Sequence, residues 1–311
     1  MQLNRTTILA GPALVQYAGS SFWSKGDITL TPTIKTFDIS TAAFGKVDKR
    51  RSNFTLDISF EPSGAFTGTL ASVLWPYAAT PIGSSIVGGT DKPLTIWTRD
   101  GKKLVVYNAV LSAMPPLSVS VGKTMIGTVK FTGILANNTD PANAAAYYSL
   151  TSVAYPGDTG FAVSDIKTFA VTAAWGASSP WSSFLADGGW DISFSQQNKE
   201  MEVDGLGTVD ITLSDLTVTA KATPIGPAEA DILAALAPNV SLGNSIAAAA
   251  NPLNISATGF YARIYNAAID ASALMYGADK KRLGPTTWVA TRTVTAGLAD
   301  PLFYVGTTAP S

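Results

Sequence analysis

Glu200, Glu202 and Asp204 stand at alternate positions of "NKEMEVDG" (residues 198–205). In an extended chain that spacing puts three carboxylates on one strand face. Such a row can bind a cation or repel an anion, and a solvated strand or loop explains it as well. "KVDKRR" (residues 46–51) gathers Lys46, Lys49, Arg50 and Arg51. A basic cluster of this kind can touch a phosphate backbone. It lacks the interleaved aromatics on which bases stack, so a solvated turn or an intersubunit contact is the better reading. "VGKT" (residues 121–124) resembles the end of a phosphate-binding loop, but the glycine required five positions before Gly122 is Leu117, and the motif fails.

Other chemistry is scarce. The chain has no histidine, which removes the commonest general base, the commonest transition-metal ligand and any Ser-His-Asp triad. It has no cysteine, hence no disulfides and no thiolate metal sites. Paired carboxylates for glycoside hydrolysis are available in principle, yet nothing marks a pair. The expectation is a protein that is not an enzyme and carries no cofactor or metal.

The elements that must position these groups follow from the bulk numbers and the patterning. A chain of 311 residues has room for two ordinary domains or one large all-β unit. Hydrophobic residues make up 46% and charged residues 14%, against roughly 25% charged in an average soluble chain. That is too apolar for disorder, yet no run of 18 uninterrupted apolar residues signals a spanning helix. So little charge suggests a surface partly covered by partners. A large core under a Ser/Thr-rich surface would give the same numbers. "MQLNRTTILAGPALVQY" is interrupted at Gly11 and Pro12 and reads as a first strand rather than a signal peptide. Residues 1–155 hold 13 Lys+Arg and 8 Asp+Glu, a balance of +5, whereas residues 156–311 hold 8 and 14, a balance of −6. Opposite halves of this kind suit a contact between one half and the other half of a neighbouring copy.

The chain repeats itself. Tyr107-Asn108-Ala109 returns as Tyr265-Asn266-Ala267, 158 positions later. Asp27-Ile28 matches Asp191-Ile192 at 164, Gly-x-Val-Asp at Gly45 matches Gly207 at 162, "PLTI" at Pro93 matches "PLNI" at Pro252 at 159, and Asp140-Pro141 matches Asp300-Pro301 at 160. Anchors in one order with nearly constant offset indicate a tandem duplication, with domains at 1–155 and 156–311.

Apolar residues alternate with polar ones through Phe54, Leu56, Ile58 and Phe60, and again through Leu216, Val218, Ala220 and Ala222. This period of two predicts half-buried strands. "RDGK" at residues 99–102 signals a hairpin turn. One short helix is expected in each half, near residues 67–77 and 228–237, where Leu70, Val73 and Leu74, and Ile232, Ala235 and Leu236, share a face. Glu229 and Asp231 suit the positive end of the second helix. The expected fold class is mainly β: two tandem β-sandwich or open-barrel domains, each with one short helix.

The order of strands, a long charged hairpin (about residues 29–60 and 193–222), a short helix and more strands resembles the tail tube (major tail) proteins of long-tailed bacteriophages. More distantly it is similar to the tube proteins of contractile injection systems. The likeness covers nearly the whole chain as two copies and rests on element order and on stretches such as "FGKVDKRRSNFTLDISFEPSG". It implies a β-sandwich or partly closed barrel with a flanking helix. It also implies stacked rings whose hairpins close an inner barrel around a DNA channel, in a virion tail assembled in the host cytoplasm. Two domains per chain depart from the common hexamer and imply a trimeric ring with pseudo-sixfold symmetry. Implied partners are further copies of the chain, the tape measure, tail terminator and distal tail proteins, and double-stranded DNA passing without sequence specificity.

A bore that passes DNA must not hold it. Glu200, Glu202, Asp204 and Asp210 are therefore expected to line the channel. In the first half Lys35 and Asp38 are expected to offset each other, and Lys46, Lys49, Arg50 and Arg51 to meet a neighbouring subunit. A distal tail or baseplate subunit remains an alternative. So does a duplicated carbohydrate-binding or adhesin module, for which the seven tryptophans supply material, although Trp75 and Trp97 lie in periodic stretches that suit a core.

Overall fold

A computed structural model describes residues 7–64, 66–120, 125–137, 139–140, 143, 146–158, 171–236, 245, 250–277, 280–292 and 300–310. The first half contributes β1 (Thr7–Leu9), β2 (Leu14–Tyr17), β3 (Ser20–Ser24), β4 (Ile28–Thr41), β5 (Gly45–Phe60), β6 (Pro62–Ser63), helix α1 (Gly68–Leu74), β7 (Leu94–Trp97), β8 (Lys102–Val106), β9 (Asn108–Ala113), β10 (Leu117–Val119), β11 (Val129–Ile134) and β12 (Tyr148–Ser152). The second contributes β13 (Thr172–Trp175), β14 (Phe184–Val203), β15 (Gly207–Ile225), helix α2 (Glu229–Leu236), β16 (Asn251–Ala257), β17 (Phe260–Gly277), β18 (Lys280–Ala290) and β19 (Phe303–Gly306). The chain is mainly β, and the pairings between these strands are antiparallel. Both short helices form where apolar spacing predicts them. Thr67 caps α1 by accepting the Leu70 N–H on Oγ1 at 3.1 Å, and Asp231 in the first turn of α2 accepts the Ala228 N–H at 2.7 Å.

The first half is two sheets, β1-β4-β5-β11-β9 and β12-β8-β7-β2-β3-β6. The strands of the second form one sheet in the order β14-β13-β16-β17-β18-β15, with β19 beside β17 and β10 of the first half added beside β14; β14 also pairs with β15, so six strands close a ring. An open barrel therefore describes the first half better than the second. The difference lies in two strands. β14 and β17 run unbroken where the first half divides the same path into β3 and β4, and into β8 and β9. Residues 105–113 are thus divided between two strands in two sheets, whereas β17 runs straight through the matching residues 263–271. At the amino end, likewise, the expected single strand is two. Gly11 lies between them, where an added Cβ would come within 1.9 Å of the Gly26 carbonyl oxygen.

Matching strands pair in matching register. Leu14 faces Trp97 and Tyr17 faces Leu94; 158 or 159 positions on, Thr172 faces Ser256 and Trp175 faces Leu253. The hairpin β4–β5 slips register between Lys35 and Thr36 and between Ile39 and Ser40. The hairpin β14–β15 does so between Gln197 and Asn198 and between Met201 and Glu202, each 162 positions later. Bulges re-aim side chains, so even the local distortions are duplicated. This register corrects one alignment: Leu30, paired with Ile58, corresponds to Ile192, paired with Ala220, an offset of 162 rather than 164. A two-residue shift keeps every side chain on its face, which is why the letters alone did not reveal it.

The repeated Tyr-Asn-Ala is a corner. The Tyr107 N–H donates to the Tyr147 carbonyl and the Tyr265 N–H to that of Leu302. The carbonyl of Ala109 accepts the Tyr17 hydroxyl at 3.0 Å, and that of Ala267 accepts the Trp175 indole N–H at 2.7 Å. Two different aromatic donors hold one backbone acceptor where the chain leaves one set of strand partners for another. Burial pushes the Tyr17 phenol up to about 12, so it remains a neutral donor at physiological pH.

Phe131 and Trp288 occupy equivalent core positions, opposite Ile58 and Ala220, and both are fully buried. Trp288 packs against Trp190 with ring centroids 5.2 Å apart and stacks on Phe184 at 6.1 Å. Its indole N–H meets no acceptor among the described residues. Trp288→Ala is expected to cost roughly 3–5 kcal/mol in urea unfolding. Trp288→Phe, which installs the residue of the matching position and deletes an unpaired donor, should cost on the order of 1 kcal/mol. Equal losses for the two variants would contradict the equivalence.

Candidate functional site: the paired hairpins

Strand lengths single out the hairpins. β4 and β5 have 14 and 16 residues, and β14 and β15 have 20 and 19, against roughly 5–6 for an ordinary strand. Their bases alternate into the core through Ile28, Leu30, Leu56 and Ile58, and through Ile192, Phe194, Val218 and Ala220. Toward the tips the alternation fades, and residues 45–52 are all exposed. Exposed large apolar side chains gather there: Phe37, Phe44, Val47, Met201, Val203 and Leu206, with Phe44 82% exposed. Large apolar side chains near both hairpin tips are thus left facing solvent.

The two hairpins lean on each other through Asn53 and Thr208, both buried. Asn53 donates from Nδ2 to Thr208 Oγ1 at 2.7 Å and to Glu202 Oε1 at 3.0 Å, and it accepts the Thr208 N–H on Oδ1 at 2.9 Å. The approach requires Gly207, whose φ is +80° and where a Cβ would lie 2.7 Å from Asn53 Oδ1. This is the structural reason for the Gly in Gly-x-Val-Asp; Gly45, its counterpart, also has a positive φ. The Asp has a reason too. Asp210 Oδ1 accepts the N–H of Ile211 at 2.8 Å, and Asp48 Oδ1 that of Lys49 at 2.7 Å.

Lys35 closes the clasp from the solvent side. Its Nζ donates to Glu202 and lies 3.9 Å from Glu200 Oε2. That hydrogen bond holds the Glu202 carboxyl below its ordinary range and the Lys35 ammonium above its own. Lys35 therefore offsets the second half's carboxylates, not Asp38, which instead pairs with Lys46 at 2.7 Å. Asp204 lies in the turn between β14 and β15, while the slip beside Glu202 skips Val209 on β15 and leaves the alternation along β14 intact. Glu200 and Glu202 therefore share one face, toward Lys35, and Asp204 does not extend that row. No group of three or more metal-ligating side chains occurs among the described residues.

Asp210 is occupied by the first half. Ser85 donates from Oγ to Asp210 Oδ1 at 2.5 Å. Around it the segment 83–86 adds to the free edge of β15: Gly83 N–H to the Leu213 carbonyl at 2.7 Å, Leu213 N–H to that of Ser84 at 3.0 Å, and Ile86 N–H to that of Ile211 at 2.9 Å. Further down, β10 pairs with β14, Leu117 facing Ile192. Lys49 and Arg51 are exposed without an ion pair among the described residues, and Arg50 meets Asp48 at 3.1 Å. "VGKT" lies outside the described residues. Six tryptophans are buried and Trp97 is half-buried, with Lys103 Nζ 5.4 Å from its ring centre. No tryptophan is left as an open platform for a sugar.

Sequence reasoning did not find Asn53, Thr208 or the segment 83–86. A buried Asn beside a basic run carries no periodic signature, and pairing with a distant edge depends on topology.

Asn53→Ala strands the buried Thr208 N–H, and a loss of about 1–3 kcal/mol is expected in urea unfolding. The ion pair is tested by titration. A depressed Glu202 contributes stability above its unfolded pKa, and that contribution disappears as pH falls through the lower, folded value. A carbon NMR titration should show Glu202 ionising below the usual glutamate range and returning to it in Lys35→Met. An unchanged Glu202 titration in that variant would contradict the assignment.

No protein-family model matches the chain, and none of the curated protein sequences compared with it is similar to it.

Proposed function

We propose that this chain is a structural virion protein that polymerises into stacked rings, forming a bacteriophage tail tube through which DNA is delivered. The observation that carries this reading is the pair of equivalent long hairpins, side by side, with polar flanks and apolar tips. Their registers repeat at 162 positions down to the bulges, so each half offers the same projecting wall element. Paired strand faces carry Thr31 opposite Asp57, then Ser193 opposite Thr219 and Ser195 opposite Thr217. Lined by neutral and acidic groups, a bore of such faces neither grips nor strongly repels a phosphate backbone. The Lys35 clasp masks Glu200 and Glu202, which leaves a wall closer to neutral than acidic.

Heterologous contacts close into rings when the rotation per unit divides the circle. Six domain places filled by two-domain chains make a trimer. Its ends would meet the tape measure, terminator and distal tail proteins. The buried tryptophans leave the carbohydrate-binding alternative without its platform. A distal tail subunit shares the same domain logic and differs in whether rings stack.

Electron microscopy of concentrated protein is expected to show hollow tubes, and native mass spectrometry of dissociated rings three chains of 32.3 kDa each. Discrete particles at every concentration would favour the distal tail reading, and a ring of six whole chains would refute the trimer.

A further inference from the structure

The edge contact at Asp210 is filled, and its duplicate at Asp48 is not. β15 takes the segment 83–86 over Ile211 and Leu213, with Ser85 and Thr212 as partners across the pair. At the same offset of 162 the positions on β5 are Lys49, Arg50 and Arg51. β5 pairs with β4 along its length, but with β11 only from Leu56 to Phe60. No described segment pairs with its edge at Asp48–Arg51. The aspartate that receives Ser85 is already set in both copies: Asp48 and Asp210 each bind the N–H of the next residue.

The sequence supplies a matching insert. Residues 82–86 read "IGSSI" and residues 242–246 read "LGNSI", an offset of 160 that falls between those of the flanking anchors. In this chain the first half donates and the second receives. Repeating that step makes the second half the donor and the first half of another molecule the receiver. Charge agrees with the direction. Carrying the Asn53–Thr208 contact forward by 162 on one side and back by 162 on the other brings Asp215 against Lys46. That is an opposite-charge pair, between halves whose balances are −6 and +5. The other edge contact, at β14, has its counterpart at β4 already filled by β1, where Leu9 faces Ile28. The open position is therefore the β5 edge.

We propose that the outer edge of β5 at Asp48, Lys49, Arg50 and Arg51 is a docking site for a second copy of this chain, which adds residues 242–246 as a strand. Ser245 faces Arg50 and reaches the Asp48 carboxylate, as Ser85 does Asp210. Residues 242–244 and 246 lie outside the described residues; the site that receives them is described in full. The proposal rests on self-association and assigns the contact through which it runs.

The chain has no cysteine, so a disulfide can report the pairing directly. Ser85 and Thr212 are a non-hydrogen-bonded antiparallel pair, whose Cα atoms stand about 4.5 Å apart in general, within disulfide range. Ser85→Cys with Thr212→Cys should close within one molecule. Arg50→Cys with Ser245→Cys should close between molecules and give a ladder that stops at the ring size. In the unmodified protein, the Arg51 amide should slow its hydrogen exchange at least tenfold on assembly. Tubes in the microscope with no intermolecular disulfide and no slowing at Arg51 would overturn this contact while leaving the ring reading standing. A covalent dimer and a protected Arg51 without tubes would uphold the contact and remove the tube. No association at all would remove both.

Discussion

Asn53 and Thr208 must satisfy each other, because both are buried where the two hairpins touch. A buried polar group without a partner costs on the order of 1–3 kcal/mol, so this clasp admits one relative placement of the hairpins. Three hydrogen bonds, one glycine with positive φ and one lysine fix it. The rest of the interface follows. Once Asn53 lies against Thr208, the segment 83–86 can reach the edge of β15 and β10 that of β14. The aromatic seam continues between the halves, with Trp75 6.2 Å from Phe194 and Phe66 5.5 Å from Phe260. One core cluster therefore contains residues of both halves.

Much of this was legible in the sequence because duplication compares the chain with itself. Alternation located the hairpins, and helix spacing located α1 and α2. Repeated Gly-x-Val-Asp and Tyr-Asn-Ala marked places where the backbone is constrained. Their causes were not legible: Gly207 answers to a side chain 154 positions away, and Ala109 and Ala267 are held by different donors, a tyrosine and a tryptophan. The hairpin register could not be fixed to within two residues, since such a shift preserves the face pattern. Charges were the least legible. Counting neighbours in sequence assigned Lys35 to Asp38, whereas the fold brings Lys35 to Glu202 across 167 positions. The carboxylate row was shortened for a local reason: Glu200 and Glu202 keep one face, and Asp204 falls in the turn.

Edge strands invite uncontrolled pairing, and proteins pair, cover or charge them. Both halves obey that rule differently. The β15 edge is covered by the first half, and the equivalent β5 edge carries Lys49, Arg50 and Arg51. Charged side chains on an open edge disfavour uncontrolled strand pairing. The +5 and −6 balances and the modest charge content fit a molecule that completes its surface by meeting itself.

If the chain assembles as proposed, the contact between its halves is also the contact between chains. A three-dimensional reconstruction of the assembled protein tests it most directly. Expected are three chains per ring, six nearly equivalent domain places, hairpins on the inner wall, and a chain-to-chain contact that superposes on the half-to-half contact at Asp210. Hairpins on the outer wall, or neighbouring chains joined through a surface that leaves the β5 edge bare, would contradict it.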